Sequence, residues 1–349
     1  MSGKLGNPAE STRMFAEAAA APAVVRAQLE ANRAAMQALA HRLRSAPPRA
    51  VVTLGRGSSD HAATFARYLI ETRLGIMTAS TSPSVSSVYD AAPDMDHVLC
   101  LVISQSGKSP DLLAAAQSAA AGGALVVALV NDERSPLAAL AQIVLPLKAG
   151  PELSVAATKS YIAALAAVTQ LTAEWTRNAE LQAALDGLPG LLEAAWALDW
   201  SAALPPLQAA SSLYVLGRGI GYGIAQEAAL KFKETCGLHA EAFSTAEVRH
   251  GPMALVGPGF PVLAFVQDDE TRPGVETVAG ACAAQGAAVM QAGGQPQPGV
   301  IALSAIGAHP ALEPIAQAQS FYRLANRLAL ARGFDPDRPP HLHKITETM

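Results

Sequence analysis

Three hydroxyls, an amide and an ammonium crowd into Ser104-Gln105-Ser106-Gly107-Lys108-Ser109, directly after the apolar run Val98 to Ile103 and directly before a proline. Where a parallel strand ends and a helix begins, unpaired backbone N–H groups and the positive end of the helix dipole attract anions. Ser104, Gln105, Ser106 and Ser109 can each donate to a phosphate oxygen, Gly107 lets the backbone approach closely, and Lys108 adds charge. A phosphate monoester is the ligand that suits such a loop, although the same residues also make a polar turn with a serine N-cap. GxxxxGK[ST] is absent, so this is no Walker A loop. A second polar turn, Gly55-Arg56-Gly57-Ser58-Ser59-Asp60, carries only half of a dinucleotide fingerprint, because Asp60 stands where the third glycine belongs. Ser58 and Ser59 read better as hydroxyls facing the crevice at the carboxyl ends of parallel strands.

Glu227, Lys231 and Glu234 stand at i, i+4 and i+7 and fall along one side of a helix. They make either a salt-bridged face or, among Ile224, Ala228, Ala229 and Leu230, a carboxylate whose burial prepares it to shuttle a proton. His250, ahead of Gly251-Pro252 and beside Arg249, can exchange a proton near neutral pH or simply pack. In the tail, His341-Leu342-His343 invites a metal, but spacing nominates no further ligand where a catalytic zinc needs about three. No metal and no organic cofactor are expected. Lys344 is either a solvated tail lysine or part of a flap whose amine attacks a carbonyl.

These groups need a scaffold. Ala50 to Leu54, Val98 to Ile103, Leu125 to Val130 and Ile143 to Leu147 are short apolar runs separated by helical stretches, His61 to Arg73 and one from near Ser109-Pro110 among them. That alternation predicts a parallel sheet covered on both faces. Ser11 to Leu43 reads as leading helices, Leu153 to Arg177 as one long helix, Leu181 to Ala197 as a second broken at Pro189-Gly190, and Pro205-Pro206 as a linker. Leu213 to Gly219 then repeats Val51 to Gly57, so two copies of one α/β fold are expected. In the second copy a helix runs from about Gly221 to Cys236, strands fall at Val262 to Val266 and Val300 to Leu303, and Ala311 to Ala331 closes the set. The expected division is a helical segment at 1–46, α/β domains at 47–204 and 205–333, and a tail at 334–349.

Composition narrows the partners. The chain has 349 residues, 50% hydrophobic and 15% charged, with a formal net charge of −4. That balance excludes disorder and lacks the basic excess a nucleic-acid binder needs. The three cysteines, Cys100, Cys236 and Cys282, form no CxxC and suggest a reducing cytosol. No apolar stretch approaches the ~20 residues that span a bilayer, so no membrane partner is expected. Ala18 to Val25 is too interrupted, with Glu17 before it, Pro22 inside it and Arg26 after it, for a signal-peptide core.

Taken together, Ser104 to Gly107, Val155-Ala156-Ala157-Thr158-Lys159, Glu227 to Glu234, His239 to Ala242, Glu247 to Pro252 and Leu342 to Lys344 resemble the tandem sugar isomerase (SIS) domains of the glucosamine-6-phosphate synthase isomerase half. The resemblance runs over about residues 10–349 and implies two doubly wound parallel-sheet SIS domains, a helical N-terminal segment and a C-terminal flap. It places the sugar phosphate on Ser104, Gln105, Ser106 and Ser109, with Ser59 alongside. It implies that Glu234 moves a proton between C1 and C2, that His250 assists ring opening, and that Lys344 engages the open-chain carbonyl. Glu152, Val155, Ala157, Lys231 and His343 would line the sugar. It also implies a homodimer in which the histidine reaches the partner's site.

Two departures shape the expected reaction. The synthases carry a glutaminase domain with a cysteine after the initiator methionine, whereas this sequence has Ser2 there and fewer than 50 residues before its first strand. The expectation is therefore no glutamine hydrolysis, and by mass action with free ammonia, deamination. Glucosamine 6-phosphate would give fructose 6-phosphate and ammonia. Ala157 replaces the synthase serine and His343 its alanine, so a fructosamine-6-phosphate deglycase and a galactosamine-6-phosphate deaminase stay open. A non-catalytic sugar-phosphate sensor is the alternative of another class.

Overall fold

The computed structural model describes residues 10–342 and Lys344. The described chain divides into two compact units, one of residues 23–151 and 160–189, the other of residues 10–22, 152–159, 190–342 and Lys344.

The first unit holds a five-stranded parallel sheet made of β1 (Ala50–Leu54), β2 (Thr78–Ser80), β3 (Val98–Ser104), β4 (Leu125–Val130) and β5 (Ile143–Pro146), in the order β2-β1-β3-β4-β5. Every residue of β3 is buried; a central strand covered on both faces has no polar side, which is why its sequence is an unbroken apolar run. Leu54, Val102, Val126 and Ala128 form one core with Leu112 and Ala116 of the helix Pro110–Ala121. Burial in this sheet pushes the Cys100 thiol up to about 12. Gln28 and Asn32 of the long helix Ala21–Ser45 donate to the carbonyls of Ala163 and Pro146 at 2.8 and 2.9 Å.

The second unit repeats the plan with β6 (Ser212–Gly217), β7 (His239–Ser244), β8 (Pro261–Phe265), β9 (Ala288–Ala292) and β10 (Val300–Leu303), in the order β10-β9-β8-β6-β7. The repeat extends to register. Leu54 pairs with Val102 in the first sheet and Leu216 with Ala264 in the second, at the offset that separates Gly55 from Gly217. Helices Tyr222–Cys236, Arg272–Ala284 and Glu313–Ala331 accompany this sheet. Among the described residues no helix is long and apolar enough to cross a membrane.

Several expectations are corrected. The helix expected from Leu153 starts only at Lys159, because residues 152–158 are held otherwise: Glu152 Oε1 accepts the Thr158 N–H at 3.0 Å and Glu17 accepts the Ser154 N–H at 3.1 Å. The break expected at Pro189-Gly190 falls at Gly187, between helices Ala179–Asp186 and Leu188–Ala197. Pro189 sits in a first turn, where a missing N–H costs nothing. Pro205-Pro206 likewise opens the short helix Leu204–Gln208 instead of forming a linker. The helix Ser58–Leu74 begins before His61, which puts Ser58 and Ser59 in its first turn. Strands β2, β7 and β9 have no counterpart in the sequence reading; β2 is three residues long and β7 mixes exposed His239 and Glu241 with small residues.

Candidate active site

In the first unit the turns after β1 and β3 lie beside each other at the carboxyl end of the sheet, since those strands are neighbours. Both precede helices, at Ser58 and Pro110. Gly107 takes a φ of +63°, and a Cβ there would stand 2.3 Å from Ser135 Oγ, so the loop closes only around a glycine. Ser104 Oγ accepts the Gly107 N–H at 2.9 Å and Ser106 Oγ accepts the Lys108 N–H at 3.3 Å. A hydroxyl that accepts still has its own proton to give, so bracing the loop leaves both free to donate. Gln105 is half-buried, and the Ser109 hydroxyl makes no cap bond to the helix it precedes. Lys108 pairs with Asp132 at 3.0 Å, and hydrogen bonding from Lys108 holds the Asp132 carboxyl below its usual range.

Arg56 joins the two turns. Its Nη2 and Nε reach Asp111 Oδ2 at 2.7 and 3.0 Å, across from the turn after β1 to the first turn of the helix after β3. Asp111 is only 1% exposed, so the guanidinium supplies the partner a buried carboxylate requires. The sequence reading missed this pair, whose signal was an arginine inside a GxG turn and an aspartate one residue into a Pro-started helix.

The second unit carries the titratable candidates. On Tyr222–Cys236 the side chains of Glu227, Lys231 and Glu234 share one side, and the helix stops at Gly237 in the left-handed conformation. Lys231 is fully buried; its Nζ lies 3.4 Å from Glu227 Oε1 and donates to Glu234 Oε2. Burial pulls the ammonium towards neutrality, but the charges of Glu227 and Glu234 outweigh it and hold Lys231 above the ordinary lysine value. Tyr322, on Glu313–Ala331, donates to the same Glu227 oxygen at 3.0 Å. Glu234 is the member with an open side: its side chain is 21% exposed, against 1% for Lys231 and Glu227. The arrangement is a carboxylate held from behind by a buried cation, which can accept and return a proton in front.

A further group forms around residues 152–158. Lys344 Nζ donates to the Ser154 carbonyl at 2.7 Å and lies 3.5 Å from Glu152 Oε2, whose side chain is buried. The tail lysine is thus docked on this segment, and Glu17 fixes the segment from the helix Arg13–Ala19. Val155 and Ala157 are half-buried within it. His250 is exposed on the turn that follows the short Glu247–Arg249 helix, its N–H bonded to the Glu247 carbonyl at 2.8 Å. His343 lies outside the described residues.

Ser59, Ser104, Gln105, Ser106 and Ser109 therefore belong to one unit, and Glu152, Val155, Ala157, Lys231, Glu234, His250 and Lys344 to the other. Glu17 and Tyr322 escaped the sequence reading because their partners lie 137 and 95 positions away.

A family model described as SIS domain matches residues 45–173 and 207–291. Glutamine–fructose-6-phosphate aminotransferase (isomerizing) of Aeropyrum pernix is 35% identical over 317 residues, which are 84% of this chain and 50% of that one. The chain spans about half the length of the relatives it matches. Among solved structures, a candidate phosphosugar isomerase from Silicibacter pomeroyi has a TM-score of 0.89 at 43% identity, covering 93% of this chain and 100% of that one. The C-terminal domain of glucosamine-fructose-6-phosphate aminotransferase from Francisella tularensis has a TM-score of 0.84 at 24% identity, covering 97% and 100%, a likeness of fold alone.

Proposed function

Since the chain belongs to the SIS-domain family, we propose that it is a sugar-phosphate isomerase, and more finely an isomerising deaminase that turns glucosamine 6-phosphate and water into fructose 6-phosphate and ammonia. The observation that carries the reading is Glu234, part-exposed in front and anchored on the buried Lys231 behind. Aldose–ketose interconversion needs a base for a carbon-bound proton and a site that shelters the enediol-like intermediate from water.

In this reading the loop from Ser104 to Ser109, with Ser59, holds the phosphate. His250 assists opening of the ring. Glu234 takes the proton from C2 of the open-chain amino aldose as the carbonyl oxygen gains a proton, and returns it to C1 as the amine gives up a proton, leaving an imine at C2; water adds there and ammonia departs with the proton it needs. Glu152, Val155, Ala157, Lys231 and His343 line the sugar, and Lys344 leaves its Glu152 contact to engage the open-chain carbonyl. A homodimer in which each subunit lends its His250 to the other belongs to the same proposal.

The test is to incubate the purified chain with glucosamine 6-phosphate, its galacto epimer and fructosamine 6-phosphate, and to measure released ammonia and hexulose phosphate. Turnover of the first supports the reading. Preference for the epimer changes the sugar, and release of a bulkier amine from fructosamine adducts makes the enzyme a deglycase. Saturable binding of all three without turnover would leave a sensor in place of an enzyme.

A further inference from the structure

The carboxyl ends of β8, β9 and β10 border a cavity of about 350 Å³ that the proposed reaction does not use. That is room for a small molecule. Gly293 and Gly294, both at positive φ, turn the chain out of β9; a Cβ on Gly293 would stand 2.4 Å from the Val266 carbonyl oxygen, so only glycine lets the two strand ends come this close. The turn is braced. Gln291, 2% exposed, donates to the Gly293 and Gln295 carbonyls at 3.0 and 3.1 Å and accepts from Gln297 at 2.8 Å.

Two side chains of the helix Glu313–Ala331 line this cavity one turn apart. Glu313 is buried and accepts the N–H groups of Asp268 and Ala308 at 2.6 and 3.1 Å, yet among the described residues it has no ion pair. Burial pushes its carboxyl up, and the charges of Asp268 and Asp269 act in the same direction. Gln317, 3% exposed, spends its amide nitrogen on the Val266 carbonyl at 2.6 Å, which fixes the orientation of the amide and leaves its Oε1 without a donor. Among the described residues the cation that lines the cavity is Arg272, and it is taken by Asp268 at 2.6 Å and Glu276 at 3.0 Å. Acceptors and negative charge are in excess. What the lining lacks is a donor that carries positive charge.

We propose that this cavity binds a small organic molecule through a primary ammonium, held by the Glu313 carboxylate with Gln317 Oε1 as a further acceptor. The negative lining turns phosphate away, so the ligand is not the sugar phosphate of the proposed reaction, and the inference does not rest on that reading. A bare ammonium ion would leave most of the volume empty, whereas the apolar side chains of Val300, Leu303 and Ile306 give a carbon skeleton a wall to pack on.

The test is isothermal titration of the purified chain with glucosamine, a hexose-sized primary amine, against glucose, which keeps the hydroxyls and lacks the charge, and against ammonium chloride, which keeps the charge and lacks the body. Glucosamine should bind at one site per chain. Glucose and ammonium chloride should each bind at least about tenfold more weakly, and Glu313→Gln should cost glucosamine a similar factor, the scale of one hydrogen bond to a charged group. Ala302→Phe, which fills the cavity from an exposed position on β10, should abolish glucosamine binding while the far-ultraviolet circular dichroism spectrum is preserved. Absence of saturable glucosamine binding would overturn the inference, as would equal affinity for either control. Glucosamine binding that Glu313→Gln leaves unmoved would overturn it too; if that variant does not fold, unmoved binding in Ala302→Phe does so alone.

Discussion

The loop after β3 and the loop after β8 hold the same place in two copies of one sheet. The register that aligns Val102 with Ala264 sets Ser106 against Asp268, Gly107 against Asp269 and Lys108 against Glu270. Each loop leads into a helix with proline in its first turn, Pro110–Ala121 and Arg272–Ala284. Strand register and helix dipole are thus alike, while the backbone between them differs, with Gly107 at positive φ and Ser109 extended against a helical Thr271, and the side chains differ in charge. The first loop offers hydroxyls and turns through Gly107; the second offers carboxylates and is closed by its own bonds, Gln267 to the Arg218 carbonyl and to Thr271 at 2.8 Å each, and Asp268 to Arg272 at 2.6 Å. A cavity of about 350 Å³ opens at this second edge, lined by Asp268, Arg272, Gln291, Glu313 and Gln317, and burial pushes the Glu313 carboxyl up. A helix N-terminus contributes only ~0.3–1 kcal/mol towards an anion, so a few carboxylates reverse it. Duplication copies a strand-to-helix edge; the residues on that edge decide whether it welcomes phosphate. In the second copy the candidate proton-transfer group, Glu234, stands instead on the helix after β6.

Breaking this division of labour is most direct at Glu234. Glu234→Gln keeps the shape and removes the base, so kcat should fall by about 10³-fold with KM little changed; steady-state kinetics with glucosamine 6-phosphate check it, and a variant keeping most of its kcat would end the assignment. Next comes grafting the second edge onto the first. Ser106→Asp should lower kcat/KM by about 10²-fold, by losing a donor and adding like charge, with the far-ultraviolet circular dichroism spectrum preserved. Arg56→Ala should be milder, costing about 1–2 kcal/mol in urea unfolding, because it removes the counter-charge of the buried Asp111 carboxylate, which keeps the Leu112 N–H, while the lost guanidinium is itself half-exposed and screened. KM should rise as the two turns lose their tie. The smallest effect belongs to Asp268→Asn and Asp269→Asn, whose sugar-phosphate KM should stay within about twofold; a large rise in either would show that the acidic edge also meets the substrate.

Much of the fold was legible from local pattern. Strands buried on both faces of a parallel sheet are largely apolar, so β1, β3, β4 and β8 stood out, and the Gly55 and Gly217 turns revealed the duplication. Strands β2 and β7 did not, because they keep polar and exposed residues, and neither did the inner strand β9, whose buried Gln291 interrupts its apolar run. Nor did residues 152–158, where an apolar, Ala-rich string looks helical until Glu17 and Glu152 take its N–H groups. The same holds at the candidate site. The periodicity that puts Glu227, Lys231 and Glu234 on one side of a helix is a property of sequence, but their burial is not.

By itself, the sequence determined which groups could do chemistry and which local element each occupies, since helix periodicity, strand burial and glycine turns act over a few residues. Only the tertiary structure decided that Lys231 is sealed from water, that Tyr322 rests against Glu227, that Arg56 grips Asp111 and that Lys344 docks on Glu152 and Ser154. Those facts arise from packing between elements far apart in the chain, where the strength of a charge depends on what surrounds it and no spacing rule can report it.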